Sequence, residues 1–431
     1  MNSSVLEAEY PLSFRKNDAQ SLGTQLKNRH SVVLIGMKRV GISNFLRFFL
    51  SHKEVAKSYI NDGKNHLFIP VDLNDLVERE IFPFWVLTLK RIADAVNNSD
   101  LDASVKKHIE TLFLDSIQSQ DLFLTIDSVR KSLLELIKQN VLPTIFYLRF
   151  DRMKDAATSV FFDNLLGLLD ATNRNLSYVF TSVRSLDNLS PDVFTRASVA
   201  VFSHNLYIKP AEKIDSEIIF SAASIFYKLD VSETLRKNLF SLIDGYIQYL
   251  QYSLISLHEK NTLPKTEQAL FDNLISDERI ALQSEELWES LTPPEQKVLL
   301  KVAGKKNPSK EEKKEAIYLW DTGLLSKDSH IFSPLFAHFI HEKEKEKVLE
   351  NQRVELSKKE NMLLQLLTSK QNDICEREEI IETVWPEAEA FGVSDWAIDR
   401  LVARLRTKLK LQKAQREIVT VKTRGYKLVS L

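Results

Sequence analysis

The sequence predicts a parallel α/β sheet, then a helical region, and finally two small modules in which helices precede a hairpin. Three observations lead to this order. Short apolar runs alternate with helical patterns over residues 1–210, which is typical of parallel strands joined by helices. From Glu212 to Ser290 the apolar residues recur at spacings of three and four, which indicates helices alone. Near the end of the chain, cations are concentrated in one helix and in the hairpin that follows it.

Length and composition bound the class of protein. A chain of 431 residues exceeds one ordinary core and indicates about two to four domains. A hydrophobic content of 44% with 27% charged residues excludes fibrous and disordered classes. The single cysteine, Cys375, excludes an internal disulfide. The start MNSSVLEAEYPL predicts no secretion signal, and no apolar run reaches about 18 residues. We therefore expect a cytoplasmic protein with no membrane partner.

The basic helix, SDWAIDRLVARLRTKLK, is predicted to begin after Ser394 or Asp395. Spacings of three and four gather its apolar residues on one buried face, namely Ile398, Leu401, Val402, Leu405 and Leu409. The opposite face and its flanks carry Arg400, Ala403, Arg404, Arg406, Thr407 and Lys408. A basic stripe of this kind is typical of nucleic-acid binders, and the alternative is an ordinary solvated helix face.

Charge is strongly polarised around this helix. From Arg400 to the end there are ten Lys or Arg residues and one acid, Glu417. From Asp373 to Asp399 there are nine acids and one cation, Arg377. A net charge of -1 for the whole chain therefore conceals a cationic end.

Further motifs surround the basic helix. Residues Ser357 to Glu360, SKKE, form a predicted capping box at the start of a helix that runs through Leu367. A second helix, 376–385, is predicted to stop at Pro386. The end of the chain, IVTVKTRGYKLV, reads as two strands around Gly425, where glycine permits the positive φ of a tight turn. The order helix, helix, basic helix, hairpin predicts an α+β winged helix-turn-helix.

These motifs resemble the DNA-binding domain of OmpR/PhoB-type response regulators over about the last 80 residues. The likeness lies in VELSKKE, REEIIETVW, AIDRLVARLRTKL and TVKTRGYKL. It implies a double-stranded DNA partner. It also implies that Arg400, Ala403, Arg404 and Thr407 face the major groove, that Arg406 and Lys408 lie nearer the backbone, and that Lys422 and Arg424 lie on the wing. The family usually has glycine where Thr423 stands.

A glycine-bounded loop, GMKRVGIS from Gly36 to Ser43, separates a predicted strand, 31–36, from a predicted helix, 42–50. Phosphate-binding loops read GxxxxGK followed by Ser or Thr, because loop amides hold phosphate, the lysine reaches the outer phosphates and the hydroxyl binds magnesium. Both glycines and Ser43 fit this pattern, but Ile42 stands in place of the lysine.

Further strands are predicted in the same region. Residues 144–151, TIFYLRFD, read as a strand ending in Asp151, a residue type that can bind magnesium in such folds. Arg152 follows, where hydrolysing relatives commonly have glutamate. A strand over 177–183 leads to Arg184, which could sense a phosphate, and strands are also predicted over 66–72 and near 199–208.

This arrangement resembles the STAND class of P-loop ATPases, relatives of the AAA+ group, over about residues 10–345. Phe14 and Arg15 before the first strand and Pro210 in LYIKPAEKID add to the likeness. The resemblance implies a P-loop NTPase-like sheet and a site for ATP or ADP with Mg²⁺, formed by Gly36, Gly41, Ser43, Asp151 and Arg184, with Ser43 and Asp151 nearest the metal. Without the lysine and the glutamate, hydrolysis is not expected and no catalytic residue is assigned.

Four domains are therefore predicted: a degenerate P-loop NTPase-like domain over 1–210, a helical domain over 211–290, a winged-helix lid-like domain over 291–345 and the DNA-binding domain over 353–431. Thr292 to Glu295, TPPE, is a second capping box. A helix over 311–320 and a turn at 327–329 predict the lid-like winged helix.

Three functions are compatible with these patterns. The first is a transcriptional regulator whose STAND-like module is nucleotide-responsive or purely structural and serves, for example, in self-association. The alternative is an ATP-hydrolysing switch that couples nucleotide state to DNA or partner binding. The third is a protein-interaction module in which the basic helix binds an acidic partner.

Overall fold

A computed structural model of the chain describes residues 5–194, 200–259, 263–350, 356–386, 393–411, 416–421 and 424–430. The chain divides into two compact units. The N-terminal unit contains Met1–Ile280 and Leu291–Phe336, and the C-terminal unit contains Ala281–Ser290 and Ala337–Leu431. The four-domain division stays a prediction.

The N-terminal unit is built on a five-stranded sheet with the order β2-β3-β4-β1-β5. Every pair of neighbouring strands is parallel. The strands are β1 Val32–Ile35, β2 Asn65–Asp72, β3 Val141–Leu148, β4 Ser177–Ser182 and β5 Asn205–Tyr207. The predicted parallel sheet is confirmed, and the order β4-β1-β5 with β1 inside is the topology of P-loop folds.

Helices connect these strands because β1 and β4 are buried along their whole length and parallel neighbours need crossover connections. One core cluster joins the sheet to the helices Ile81–Asn97 (α3), Leu122–Lys138 (α5) and Ser159–Ala171 (α6), through residues such as Val33, Trp85, Leu133, Tyr147 and Phe161. The helices are α1 Lys16–Lys27, α2 Ile42–Ser51, α3 Ile81–Asn97, α4 Ala103–Ser119, α5 Leu122–Lys138, α6 Ser159–Ala171 and α7 Leu186–Leu189.

The predicted helical region is confirmed after β5. Its helices are α8 Lys213–Tyr227, α9 Glu233–Ile243, α10 Ile247–His258, α11 Glu267–Ile275 and α12 Glu278–Glu289. The segment that follows contains α13 Pro293–Ala303, α14 Lys310–Glu315, α15 Tyr318–Asp321 and, after a Leu325–Ile331 β-bridge, α16 Pro334–Glu350. The single helix predicted over 311–320 is thus wrong, since the chain leaves the helical path at Ala316. The predicted turn is present, because the Ser329 amide donates to the Ser326 carbonyl over 2.9 Å.

The C-terminal unit contains a three-stranded antiparallel sheet with the order β6-β8-β7. Its remaining elements are α17 Lys358–Ser369, β6 Cys375–Glu376, α18 Arg377–Val384, α19 Asp395–Leu411, β7 Arg416–Val421 and β8 Gly425–Ser430. Three helices and a hairpin share one core, so the predicted winged helix is confirmed. The strand β6, which pairs with β8, is an addition to the predicted elements.

Gly425 is required by a close approach between strands. A Cβ atom at Gly425 would lie 2.0 Å from the carbonyl oxygen of Cys375. We predicted that glycine permits a positive φ here, and its φ of 156° is positive and lies in a range that L side chains rarely adopt. The glycine is therefore needed because β8 passes directly against β6.

Among the described residues, no helix combines the length and the apolar character that crossing a membrane requires.

Candidate nucleotide site and nucleic-acid interface

The predicted phosphate-binding loop joins β1 to α2 at the carboxyl edge of the sheet. Strand β1 ends at Ile35 and α2 begins at Ile42, so the loop occupies the position that the fold assigns to phosphate binding. Gly41 has a φ of 111°, a conformation that L side chains rarely adopt. Gly41 therefore gives the loop a backbone conformation that other residues would rarely adopt.

Apolar side chains surround this loop. A Cβ atom at Gly36 would lie 2.8 Å from Cγ1 of Val40 and 3.2 Å from Cδ1 of Ile42. On the other side of the loop, a Cβ atom at Gly41 would lie 2.9 Å from Cγ1 of Ile247, at the start of α10. The side chain that replaces the lysine therefore turns back toward Gly36, and α10 covers Gly41.

Polar contacts also fix the loop to the helical region. The hydroxyl of Tyr246 donates to the Lys38 carbonyl over 2.6 Å. The buried Arg15 guanidinium donates to the carbonyls of Val40 and Lys209, at 3.4 and 2.7 Å. The Arg15 amide donates to a carboxylate oxygen of Asp215 over 2.7 Å. These contacts tie the loop to the segment that leads into α8 and to α10.

The two predicted metal ligands lie in different surroundings. Ser43 is exposed in the first turn of α2. We predicted a strand that ends in Asp151, and this is wrong. Strand β3 stops at Leu148, and Asp151 lies in the 3-10 helix Phe150–Met153. Burial raises the pKa of Asp151 above its ordinary value, against the opposing charge of Lys38. Asp151 is thus a partly buried carboxyl whose ionised form is disfavoured.

Arg184, the predicted phosphate sensor, is held by a carboxylate. Its two terminal nitrogens donate to the two oxygens of Glu295 at 2.6 and 2.7 Å. The guanidinium also lies 3.7 Å from the ring centroid of Tyr318. Glu295 is the buried acid of the predicted capping box, and it accepts from the Thr292 amide over 2.8 Å. In this arrangement Arg184 binds the start of α13.

The fit of these residues to a magnesium nucleotide is poor. Mg²⁺ is usually bound through one or two carboxylates together with substrate phosphates. The loop that should hold the phosphates lacks its lysine and is lined by Val40, Ile42 and Ile247. Within the described ranges, no group of three or more His, Cys, Asp or Glu residues could hold a metal ion.

The basic helix α19 has the predicted buried face. Its apolar residues are all buried, namely Ile398, Leu401, Val402, Leu405 and Leu409. Ser394 caps the helix, since its hydroxyl accepts from the Ala397 amide over 3.3 Å. The predicted capping box of α17 is also present, and its Glu360 accepts from the Ser357 amide over 2.7 Å. The opposite face of α19 therefore contains the predicted DNA-contacting residues.

Two of these residues are engaged by carboxylates of α12. Arg404 donates through one terminal nitrogen to both oxygens of Glu285, at 2.9 and 2.7 Å. Arg400 forms an ion pair with Glu289, and its Nε lies 3.6 Å from Glu285. All four residues belong to the C-terminal unit. The two predicted groove-facing arginines are therefore paired with acids of the same chain.

The other predicted residues of α19 contact residues that are closer to them in the sequence. Lys408 donates to Glu360 over 2.8 Å. Arg406 donates to the Ile418 carbonyl and to the Thr420 hydroxyl, both at 2.8 Å, which joins the helix to the hairpin. Thr407 is exposed and donates to the carbonyl of Ala403, which is half-buried.

On the wing, Arg424 is 60% exposed and lies 3.5 Å from a carboxylate oxygen of Glu376. Lys422 and Thr423 lie outside the described residues. Arg424 is therefore the wing cation that the structure places at the surface.

Several residues at these two sites were not predicted. They are Tyr246 and Ile247 at the loop, and Glu285 and Glu289 at the basic helix. Each is far from its partner in the sequence, so no spacing pattern could identify it.

Residues 351–428 match the protein family described as "Transcriptional regulatory protein, C terminal". The chain thus carries an OmpR/PhoB-type DNA-binding domain at this position, as the four motifs predicted. No curated protein matches the chain.

Several solved structures are similar to this chain at low sequence identity. A Walker-type ATPase of Pyrococcus abyssi is 15% identical over 78% of this chain and 100% of its own, with a TM-score of 0.48. The ORC2 protein of Aeropyrum pernix, solved with ADPNP and ADP, is 13% identical over 79% of this chain and 96% of its own, with a TM-score of 0.45. Cdc6p of Pyrobaculum aerophilum is 14% identical over 80% of this chain and 99% of its own, with a TM-score of 0.37. The parallel fold of the N-terminal unit follows from its own strand order and pairing.

Proposed function

We propose that this protein is a DNA-binding transcriptional regulator whose N-terminal unit is a structural platform that does not hydrolyse ATP. One observation carries the regulator proposal: three helices and a hairpin that share one core, with a cationic third helix, coincide with the segment that matches the regulatory family. Its partner is double-stranded DNA. Self-association through the N-terminal unit is part of the proposal.

The platform role is supported by the geometry of the loop. Ile42 cannot supply the charge that a phosphate-binding lysine supplies, and Arg152 cannot orient a water molecule as a glutamate can. Arg152 instead donates to the side-chain oxygen of Asn74 over 2.8 Å. Loss of one charge-assisted contact weakens phosphate binding by roughly 1.5 to 3 kcal/mol, so residual binding of ATP or ADP remains compatible with the loop.

Replacing Arg404 with alanine is expected to weaken duplex binding by about 1 to 3 kcal/mol, and Arg424→Ala is expected to act in the same direction. The reason is that both side chains would donate hydrogen bonds to phosphate oxygens or to base acceptors of the duplex. Fluorescence anisotropy with a labelled duplex over a salt series measures the effect, and each lost phosphate contact should lower the salt slope by about 0.9. Arg174→Ala, which removes an exposed arginine of the N-terminal unit, is the control. Unchanged binding in both test variants would contradict the groove-and-wing assignment.

Purified protein with ATP and Mg²⁺ is expected to release no phosphate beyond the level of an Asp151→Asn variant. The physical reason is the absence of both the lysine and the water-orienting glutamate. A coupled phosphate assay compares the two proteins. Turnover that is present in the natural sequence and lost in Asp151→Asn would favour the alternative, an ATP-hydrolysing switch.

A further inference from the structure

The acidic helix α12 and the basic helix α19 present matching charged pairs. Glu285 and Glu289 are four residues apart on α12, and Arg400 and Arg404 are four residues apart on α19. Residues at this spacing share one helix face. The two carboxylates therefore meet the two guanidinium groups as a ladder, with Arg404 on Glu285 and Arg400 on Glu289.

This ladder is largely withdrawn from solvent. The Glu285 side chain is 5% exposed, and those of Arg400 and Arg404 are 28% and 32% exposed. Glu285 also lies 3.4 Å from Lys343, so one carboxylate faces three cations. Ion pairs that are partly buried are less weakened by salt than exposed pairs. The contact is therefore more than a chance pairing of surface charges.

The winged helix does not require α12 for its core. The core of this unit is made by α17, α18, α19 and the hairpin, and the contribution of α12 is a half-buried Leu282 at its edge. The carboxylates of α12 meet the face of α19 that lies opposite the core. The ladder therefore engages two of the four predicted groove-facing residues, Arg400 and Arg404, without building the domain.

Carboxylates and DNA compete for the same arginine atoms. The fork of N–H donors that binds a carboxylate also binds a phosphate or the O6 and N7 atoms of guanine. The terminal nitrogen of Arg404 that donates to Glu285 cannot donate to a DNA base at the same time. A base or phosphate that binds this nitrogen must therefore displace Glu285, and the measured affinity is then reduced in proportion to the fraction of molecules in which the ladder is open.

From this geometry we infer that α12 is an intramolecular inhibitor, in which Glu285 and Glu289 occupy the DNA-contacting arginines until DNA or another ligand displaces them. The inference rests on the proposed function, since it assumes that α19 binds DNA. The sequence also allowed the hypothesis that the basic helix binds an acidic partner, and in this inference that partner is α12 of the same chain.

The test compares the full-length chain with the variant Glu285→Gln/Glu289→Gln, which keeps side-chain size and removes both charges. The probe is a fluorescein-labelled duplex of random sequence at low salt, because non-specific binding already depends on the cations. The control is Glu233→Gln/Glu311→Gln, which removes two exposed acids from the N-terminal unit and matches the change in net charge. We expect the test variant to bind about tenfold more tightly, equivalent to about 1.4 kcal/mol, and the control to stay within about twofold of the natural protein.

The outcomes are distinguishable. Equal or weaker binding by the test variant, with clear binding by the natural protein, overturns inhibition and leaves DNA binding intact. An equal gain in test and control variants also overturns it, because net charge would then explain the change. If no variant binds the duplex at the lowest salt, the proposed function itself fails.

A second measurement needs no substitution. Amide hydrogen exchange of the natural protein should become faster over residues 281–289 when DNA is added, because the ladder must open. Unchanged protection there in the DNA-bound protein would overturn the inference even if the glutamine variant were poorly folded.

Discussion

Replacing Gly425 with alanine is expected to destabilise the C-terminal unit by about 3 kcal/mol, the upper part of the usual range for overpacking. The added Cβ atom would lie 2.0 Å from the Cys375 oxygen and 3.1 Å from Cα of Glu376. All the nearest atoms are backbone, so no side-chain rotation relieves the clash. Strand β8 must then separate from β6.

Cys375 reports this change directly, because it is the only cysteine of the chain and is buried. Burial, together with the nearby Glu379, raises the pKa of the thiol, which lowers the fraction of reactive thiolate. Labelling by an aromatic disulfide reagent should be slow in the natural protein. A loss of about 3 kcal/mol in the free energy of opening corresponds to labelling about 100-fold faster in Gly425→Ala.

The control for this experiment is Gly167→Ala, within α6 of the N-terminal unit. No atom lies within 4 Å of a Cβ added at Gly167, so the same chemical change meets open space there. Labelling of Cys375 should then match that of the natural protein. Similar rates in Gly425→Ala and Gly167→Ala would show that β8 can shift without opening the sheet.

Local patterns in the sequence predicted the elements well. The buried face of α19 follows from apolar spacing alone, as Ile398 and Leu405 show. The capping box at Ser357 fixes the start of α17 because both of its hydrogen bonds join residues three positions apart. Such features need no knowledge of tertiary contacts.

Long-range contacts at the two sites could not be predicted in this way. Arg404 and Glu285 are 119 positions apart, and Arg184 and Glu295 are 111 positions apart. An arginine that binds a phosphate and one that binds a carboxylate of its own chain have the same local sequence. The sequence therefore predicted which cations are functional candidates, but their partners depend on how the helices pack.

Replacing Glu295 with alanine is expected to lower the free energy of unfolding of the N-terminal unit by about 3 to 5 kcal/mol, the usual cost of breaking a buried ion pair from one side. The side chains of Glu295 and Arg184 are 4% and 17% exposed. The substitution removes two short hydrogen bonds from Arg184 and the acceptor of the Thr292 amide. Urea unfolding followed by circular dichroism measures the change.

A matched control is available in the next helix. Glu312 closes the capping box of α14 with Ser309, and its partner Lys301 is a less buried cation than Arg184. Glu312→Ala removes the same kind of cap and should lower the free energy of unfolding by clearly less than Glu295→Ala does. The double variant Arg184→Met/Glu295→Ala should recover part of the loss, because no guanidinium is then left without its carboxylate. If Glu295→Ala costs no more than Glu312→Ala, the ion pair is not what holds Arg184, and a role for this arginine in sensing phosphate regains support.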